Sequence, residues 1–271
     1  MAYAAGPVDS VTLLMLRMVF SLPLCLGVLL WQGTGKLTKS DWLTMLWLGF
    51  LGYYLASYLD FWGLEYISAA LERILLFTYP TMVVLISAVM YKKPIHGREI
   101  GALLLTIAGT VVSFGNDMLV ATAPGALWKG TALVLGSAVC YAFFLIGNGR
   151  NVARIGSLRF AALAIAIASG FVIAQFLALR PLSALNLAPK IYWLGVGFAW
   201  FSTGLPIFLT AEAIRRAGAS RVSIAGSIGP IVTIWMGHEF LSEPITLMQM
   251  AGAALVLAGV SLITVAKSPA T

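Results

Sequence analysis

The sequence predicts an all-α polytopic membrane protein with nine transmembrane helices, arranged as two inverted repeats of four and five helices. Three observations lead to this fold class: a strongly apolar composition, a succession of long hydrophobic segments, and an internal repeat. Hydrophobic residues make up 60% of the 271 residues and charged residues only 10%. A soluble domain carries about 25% charged residues, so this composition excludes a soluble globular protein.

Long apolar segments follow one another along the whole chain. A helix needs about 20 mainly apolar residues to cross the hydrocarbon core of a bilayer. Lipid offers no partner to unpaired backbone groups, which favours helices. The loops between the segments are short. On this basis the predicted spans are residues 11–31, 42–66, 68–91, 97–115, 127–147, 158–179, 191–214, 219–241 and 247–266.

The internal repeat relates residues that lie 150 positions apart. The residues that match without a gap are Pro80 and Pro230, Pro94 and Pro244, and Ala108-Gly109 and Ala258-Gly259. We assign residues 1–118 to the first repeat, of four helices, and residues 119–271 to the second, of five. The two copies are predicted to cross the membrane in opposite directions, an arrangement typical of secondary transporters.

The basic residues predict the topology. Alternate loops place twelve of the 17 Lys and Arg residues on one side of the membrane and four on the other, while Arg17 lies inside the first span. Cytoplasmic loops retain positive charge, so we expect the C-terminus in the cytoplasm and, with nine spans, the N-terminus outside. The net charge of +7 then reflects these loops rather than a nucleic-acid partner, and the expected location is the cytoplasmic (inner) membrane.

Among the charged residues inside predicted spans, four lie at a similar depth, about 10 Å below the predicted outer surface at 1.5 Å per residue. They are Arg17, Asp60, Glu72 and Arg73. A charge within a span costs about 2.5–3.5 kcal/mol on insertion scales, so such groups face a cavity or one another. Two interpretations remain open. The four residues form a buried ion-pair network that fixes three helices, or they form a substrate-binding or gating site in which an arginine binds an anionic group and a carboxylate carries a proton.

Two prolines at matched positions of the repeat predict interrupted helices. A proline in mid-span removes a helical hydrogen bond and kinks the helix, and transporters line their substrate paths with such helices. Polar and aromatic residues share the helix faces of the prolines and the charged residues. The predicted path-lining residues are Tyr53, Ser57, Phe77, Pro80, Trp200, Ser223, Ser227 and Pro230. Core packing is an equal alternative for Trp200.

The remaining polar residues suggest no catalytic or metal site. The two cysteines lie inside predicted spans, and the two histidines lie near loops without metal-ligand spacing. There is no HExxH motif and no Ser–His pairing, so an enzyme is unsupported, and we expect neither metal nor cofactor. Glu239 and Glu243 flank the outer end of the eighth predicted span, where we expect both to be solvated.

The duplicated unit resembles the EamA-type branch of the drug/metabolite transporter superfamily. The residues that carry the resemblance are GLEYISAA at 63–70, the mid-helix Pro80, and LSEPIT at 241–246 followed by Gly252 and AGV at 258–260. The last stretch is similar to the family's L-x-E-x-x-T ending. The resemblance covers nearly the whole chain and implies ten helices in two inverted halves, both termini in the cytoplasm, and a central cavity.

The chain departs from that pattern in two ways. No counterpart of span 127–147 precedes the first predicted span, so the fold corresponds to a ten-helix transporter lacking its first helix. We expect that this helix has been lost, the alternative being a protein that works with nine. In addition, Lys92-Lys93 stands where the second repeat has Ser242-Glu243.

The resemblance implies a secondary transporter that exports a small metabolite or amino acid by alternating access. Its expected partners are a small-molecule substrate and the lipid bilayer, with no nucleic acid. The alternative function is an incomplete or non-transporting member of the family that acts as a membrane partner. Small residues in the spans favour close helix packing, and a homodimer through the Gly101 or Gly252 helix is left open.

Overall fold

The computed structural model of the protein describes residues 8–33, 37–92, 94–120, 123–206, 209, 213 and 228–266. Within these residues every regular element is helical, which confirms an all-helical membrane protein. The helices long and apolar enough to cross a membrane number five in the described residues: Ser10–Gln32, Ala69–Tyr91, Gly97–Leu119, Pro124–Gly147 and Ser157–Leu179. The predicted spans 191–214 and 219–241 reach outside the described residues, so the count of nine stays a prediction.

The helices in chain order are α1 Ser10–Gln32, α2 Lys39–Gly49, α3 Ala56–Gly63, α4 Ala69–Leu76, α5 Tyr79–Tyr91, α6 Gly97–Val120, α7 Pro124–Ile155, α8 Ser157–Leu179, α9 Pro189–Ala199, α10 Gly229–Leu241 and α11 Leu247–Ala266. Two π-helical segments continue α2 and α9. We call them the first π-segment, Phe50–Leu55, and the second π-segment, Trp200–Gly204. A short 3₁₀ turn, Leu182–Leu185, precedes α9.

The chain forms two compact units. Unit 1 comprises Met1–Phe61 and Phe143–Ala213, and unit 2 comprises Trp62–Ala142 and Ile214–Thr271. Each unit draws on residues from both predicted repeats. The predicted boundary at residue 118 separates the two sequence repeats, whereas the two units are defined by contacts in space. The predicted boundary therefore stays a prediction.

In unit 1, α1 packs against α8 in the antiparallel sense. At one end Arg159 donates a hydrogen bond of 2.6 Å to the carbonyl of Gln32, and at the other Arg180 donates to Asp9. A cation at the last carbonyls of a helix is favourable because it opposes the negative end of the helix dipole. Apolar side chains fill the space between: Leu14, Met18, Cys25, Ala162, Ile165 and Val172.

Asp9 both caps α1 and ties it to the segment after α8. Its carboxylate accepts hydrogen bonds from the Thr12 amide at 3.0 Å, the Thr12 hydroxyl at 2.9 Å and Arg180 Nε at 3.1 Å. Partial burial by itself raises the pKa of Asp9, but the hydrogen bonds from Thr12 and the nearby guanidinium outweigh it, so the pKa lies below its ordinary value. The folded state therefore favours the ionised form.

In unit 2, α6 and α11 approach so closely that their backbones meet. A Cβ atom on Gly109 would lie 2.5 Å from the Gly252 carbonyl, and one on Gly259 would lie 2.7 Å from the Ala102 carbonyl. Residues late in one helix contact residues early in the other, so the two helices are antiparallel. Small residues permit this distance, as is common between membrane helices.

Local backbone features recur at the 150-residue offset of the sequence repeat. Each π-segment begins at a matched position, and α5 and α10 begin and end at matched positions with a proline in the first turn. The residues after these two helices are both left-handed, with φ of 51° and 56°. The matched pairs are Phe50 and Trp200, Tyr79 and Gly229, Pro80 and Pro230, and Lys92 and Ser242.

We expect Gly109→Val to destabilise the protein by about 1–3 kcal/mol, because the branched side chain overpacks the α6–α11 contact. Gly101→Val is the matched control on the same helix, since nothing lies within 4 Å of a Cβ there. The measurement is the unfolding midpoint of each variant in the same detergent. Equal midpoints for the two variants would contradict the close approach.

We expect Asp9→Asn to lower the thermal unfolding midpoint at neutral pH and to have no effect in strong acid. A lowered pKa in the folded state gives stability that is complete above the aspartate's unfolded pKa and disappears as the pH falls through the folded value. Midpoints of the parent and the variant should therefore converge on acidification. A difference that stays constant with pH would show that ionisation of Asp9 does not contribute.

Candidate functional site

Arg17 on α1 lies in an aromatic and hydroxyl environment within unit 1. Its Nε donates a hydrogen bond of 3.1 Å to the hydroxyl of Thr203. The guanidinium carbon lies 5.4 Å from the ring centres of both Phe61 and Phe198. These two rings contact each other edge to face at 6.1 Å. Cation–π contacts away from water contribute about 2 kcal/mol, so the surroundings stabilise the charge and fix the plane of the guanidinium.

The second π-segment presents Thr203 to Arg17. A π-helical turn inserts one residue into the helical register, which redirects the following side chains and is frequent at functional sites. Thr203 is buried. The next residue, Gly204, approaches α1 so closely that a Cβ would lie 2.3 Å from Leu24. A larger residue there would require the Leu24 side chain or the π-segment to move.

The first π-segment and α3 carry three more of the predicted site residues. The ring of Tyr53 packs edge to face on Phe144 at 5.2 Å and also contacts the apolar cluster between α1 and α8. Ser57 and Asp60 lie on α3, and both are half-buried. Trp200, at the start of the second π-segment, is 47% exposed, which argues against a core position for this side chain within the described residues.

Glu72 and Arg73 lie on α4 in unit 2. Glu72 is buried, whereas the Arg73 side chain is 37% exposed, and the two form an ion pair of 3.8 Å. A contact of this length, partly open to the surroundings, adds little stability. The ion pair places a buried carboxylate beside a more accessible guanidinium on α4, a helix of only two turns.

The chain interrupts its helix between α4 and α5, and the interruption faces the start of α10. At the break the backbone amide of Thr78 donates to the carbonyl of Leu75 at 3.0 Å, and the Thr78 hydroxyl donates to the same carbonyl at 2.7 Å. The Phe77 ring lies 3.2 Å from where a Cβ on Gly229 would be. Two helix starts that the repeat relates, each followed by proline, therefore adjoin within unit 2.

The predicted site residues are thus distributed over two separately described groups. Unit 1 holds Arg17, Asp60, Tyr53, Ser57 and Trp200, and unit 2 holds Glu72, Arg73, Phe77, Pro80 and Pro230. Ser223 and Ser227 lie outside the described residues. The prediction that these residues line one path stays a prediction. In the described part of the chain, no three His, Cys, Asp or Glu side chains are arranged to hold a metal ion.

A polar network connects the start of α4, the end of α6 and the turn before α11. Asp117 accepts hydrogen bonds from Ser68 at 2.7 Å and from Gln249 at 3.2 Å. Thr246 donates to the side chain of Asn116 at 2.6 Å. Asn116 in turn donates to Asp117 at 3.1 Å. The network joins three segments that are far apart in the sequence.

Glu243 belongs to the same end of unit 2, and our expectation that it is solvated is wrong. Its carboxylate oxygens accept the backbone amides of Ala69 at 3.0 Å and Ala70 at 3.4 Å. These amides belong to the first turn of α4 and have no partner within that helix. Glu239, one turn earlier, is exposed as expected.

The model of the EamA-like transporter family matches residues 1–115 and 128–265, which is nearly the whole chain. The chain belongs to the EamA-like transporter family. This result confirms the resemblance drawn from the repeat and from the stretch at 241–246.

Relatives of this EamA-like chain are named as transporters. It is 31% identical to the uncharacterized transporter YcbK of Bacillus subtilis over 75% of this chain and 66% of that protein, slightly less than two thirds of its length. An uncharacterized transporter of Archaeoglobus fulgidus is 26% identical over 74% of this chain and 70% of that protein. A protein crystal structure aligns with 98% of this chain and 90% of its own, at a TM-score of 0.67 and 17% identity, which concerns the fold alone.

Sequence reasoning on this EamA-like chain missed several residues of the two groups. Thr203 lies 150 residues after Tyr53, so the repeat itself pointed to it. Asn116 and Asp117 follow the predicted span 97–115 directly, and their polarity at a helix end was a usable signal. No sequence signal pointed to Phe61 and Phe198, because aromatic residues are common throughout the spans.

Proposed function

We propose that this EamA-like protein is a secondary transporter of the cytoplasmic membrane that exports a small metabolite or amino acid by alternating access. The observation that carries the proposal is that helix interruptions occur in pairs at the 150-residue offset of the repeat. Arg17 is hydrogen-bonded to one of them, the second π-segment. Transporters place their sites at interrupted helices of related halves. The matched π-segments and the matched proline starts are interruptions of this kind.

The packing of α6 on α11 supports the inverted arrangement. These two helices occupy equivalent places in the sequence repeat, since Gly109 matches Gly259, and they are antiparallel in unit 2. Antiparallel packing of two equivalent helices is the arrangement that halves of opposite orientation would produce. The alternating-access proposal depends on that inversion, because it gives the two halves equivalent conformations facing opposite sides.

Arg17 gives the proposed site its chemistry. A guanidinium is always charged and matches the geometry of a carboxylate or a phosphate. The hydrogen bond to Thr203 and the two phenyl rings hold it in a fixed orientation, which reduces the ordering that ligand binding requires. We assign to Arg17 the binding of an acidic group of the substrate. Asp60, Glu72 and Arg73 act in binding or gating, and a carboxylate among them carries a proton.

We expect Arg17→Gln and Arg73→Gln to abolish export, since each removes a charge that the surroundings keep in place. Arg98→Gln is the matched control, because Arg98 is exposed outside the proposed site. The measurement compares metabolites in the medium and the cytoplasm of cells that express each variant at equal abundance. A compound that leaves cells only with the parent chain and the control identifies a substrate.

Two outcomes of this experiment decide against parts of the proposal. If both variants export as the parent does, the site assignment is wrong. If the parent changes no metabolite, the alternative of a non-transporting or incomplete family member is favoured. Repeating the comparison with a form of the chain extended by a further amino-terminal helix then separates these two possibilities.

A further inference from the structure

The turn between α10 and α11 reaches across unit 2 to the start of α4. Ser242 ends α10 in the left-handed conformation, with φ of 56°. The next residue, Glu243, lies 174 positions from Ala69 in the sequence and accepts its amide at 3.0 Å. The carboxylate thus supplies acceptors to the first turn of a helix that belongs to the other sequence repeat.

Neighbouring residues hold Glu243 in this position. The backbone carbonyl of Glu243 lies 2.9 Å from Nδ1 of His238, which ties the turn to α10. The carboxylate passes close to Gly237, where a Cβ would lie 3.0 Å from its Oε2. Glycine at 237 therefore leaves room for the carboxylate to reach α4.

The helix that Glu243 caps is short, and both apolar packing and N-terminal hydrogen bonds hold it. α4 has only eight residues, Ala69–Leu76, and is therefore about 12 Å long at 1.5 Å per residue. Helices this short are unstable on their own, and α4 is interrupted after Leu76. Its N-terminal attachments are the Glu243 carboxylate and Ser68, whose hydroxyl accepts the Leu71 amide at 3.1 Å and donates to Asp117. Together with the packing of its buried apolar face, these attachments fix the rotation and the depth of the residues that follow.

We propose that Glu243 is a positioning residue for the Glu72–Arg73 pair in transport. Resting on the proposed function, this inference gives the glutamate of the L-x-E-x-x-T stretch a physical role. The carboxylate cap fixes α4, and α4 holds the buried Glu72 beside the accessible Arg73. The equivalent residue of the first repeat, Lys93, lies outside the described residues, and its ammonium group has no acceptor. Lys93 therefore cannot provide the carboxylate cap that Glu243 provides.

The first test measures whether Glu243 holds α4 in place. The reporter is Leu71→Cys in a background of Cys25→Ala and Cys140→Ala, because Leu71 is fully buried. Its reaction rate with a maleimide is measured on purified protein in lipid nanodiscs. We expect Glu243→Ala to raise the rate about tenfold, the equivalent of ~1.4 kcal/mol, within the range for loss of an N-terminal cap. Glu243→Gln, which keeps one acceptor, should raise it less.

Glu239→Ala is the matched control, since it removes the same charge from an exposed position near the end of α10, four residues before Glu243. It should leave the maleimide rate unchanged. An unchanged rate in Glu243→Ala, or an equal increase in Glu239→Ala, would overturn the capping role. Glu243→Gln keeps the volume of the side chain, so it provides this measurement even if the alanine variant does not fold.

The second test measures export of the compound identified with the parent chain. Glu243→Ala should lose export as Arg73→Gln does, Glu243→Gln should retain a part of it, and Glu239→Ala all of it. A faster maleimide reaction with full export would overturn the positioning role while leaving the cap intact. If the parent exports nothing, the proposed function fails, and with it the role in transport, whereas the maleimide rates still decide whether Glu243 caps α4.

Discussion

A lipid bilayer provides no hydrogen-bond partner for an open helix end, and the described structure depends on how its helix interruptions are closed. Each interruption has its own solution. The π-segments keep the backbone hydrogen-bonded while shifting the register by one residue. At the break after α4 the Thr78 hydroxyl donates a hydrogen bond to the Leu75 carbonyl. At the start of α4 the Glu243 carboxylate accepts hydrogen bonds from two backbone amides. Interruptions that are closed in this way can carry function without exposing backbone to lipid.

The two compact units accommodate charge within the membrane differently. In unit 1 the guanidinium of Arg17 lies against two aromatic faces and donates to the Thr203 hydroxyl, and these contacts stabilise a cation and hold its orientation. In unit 2 carboxylates accept hydrogen bonds at one end of the helices, and the Glu72–Arg73 pair lies one turn further along α4. The first arrangement suits recognition of an anion, and the second suits control of helix position.

The repeat conserves backbone geometry more closely than side-chain chemistry. Helix starts, π-segments and left-handed helix ends recur at the same offset, yet Tyr53 corresponds to Thr203 and Lys93 to Glu243. Even the cap before the next helix recurs with different residues: the amide of His96 donates to Glu99, and that of Thr246 donates to Gln249. The two repeats therefore share a backbone pattern but carry unlike sets of polar groups, and among the described residues the carboxylate cap of α4 comes from the second repeat.

The sequence by itself determined the class of protein, the family and the helix break before Pro80, whereas it did not point to the two π-segments. Apolar segments, prolines and the repeat are local or periodic signals, and they act through the solvent preference of each segment and the missing amide of proline. The tertiary structure decided which side chains meet. Phe61, Phe198 and Thr203 gather around Arg17, and Glu243 turns inward rather than toward water, because helices distant in the sequence pack together. Partners of this kind follow from the approach of helices in space, which a pattern along one chain does not encode.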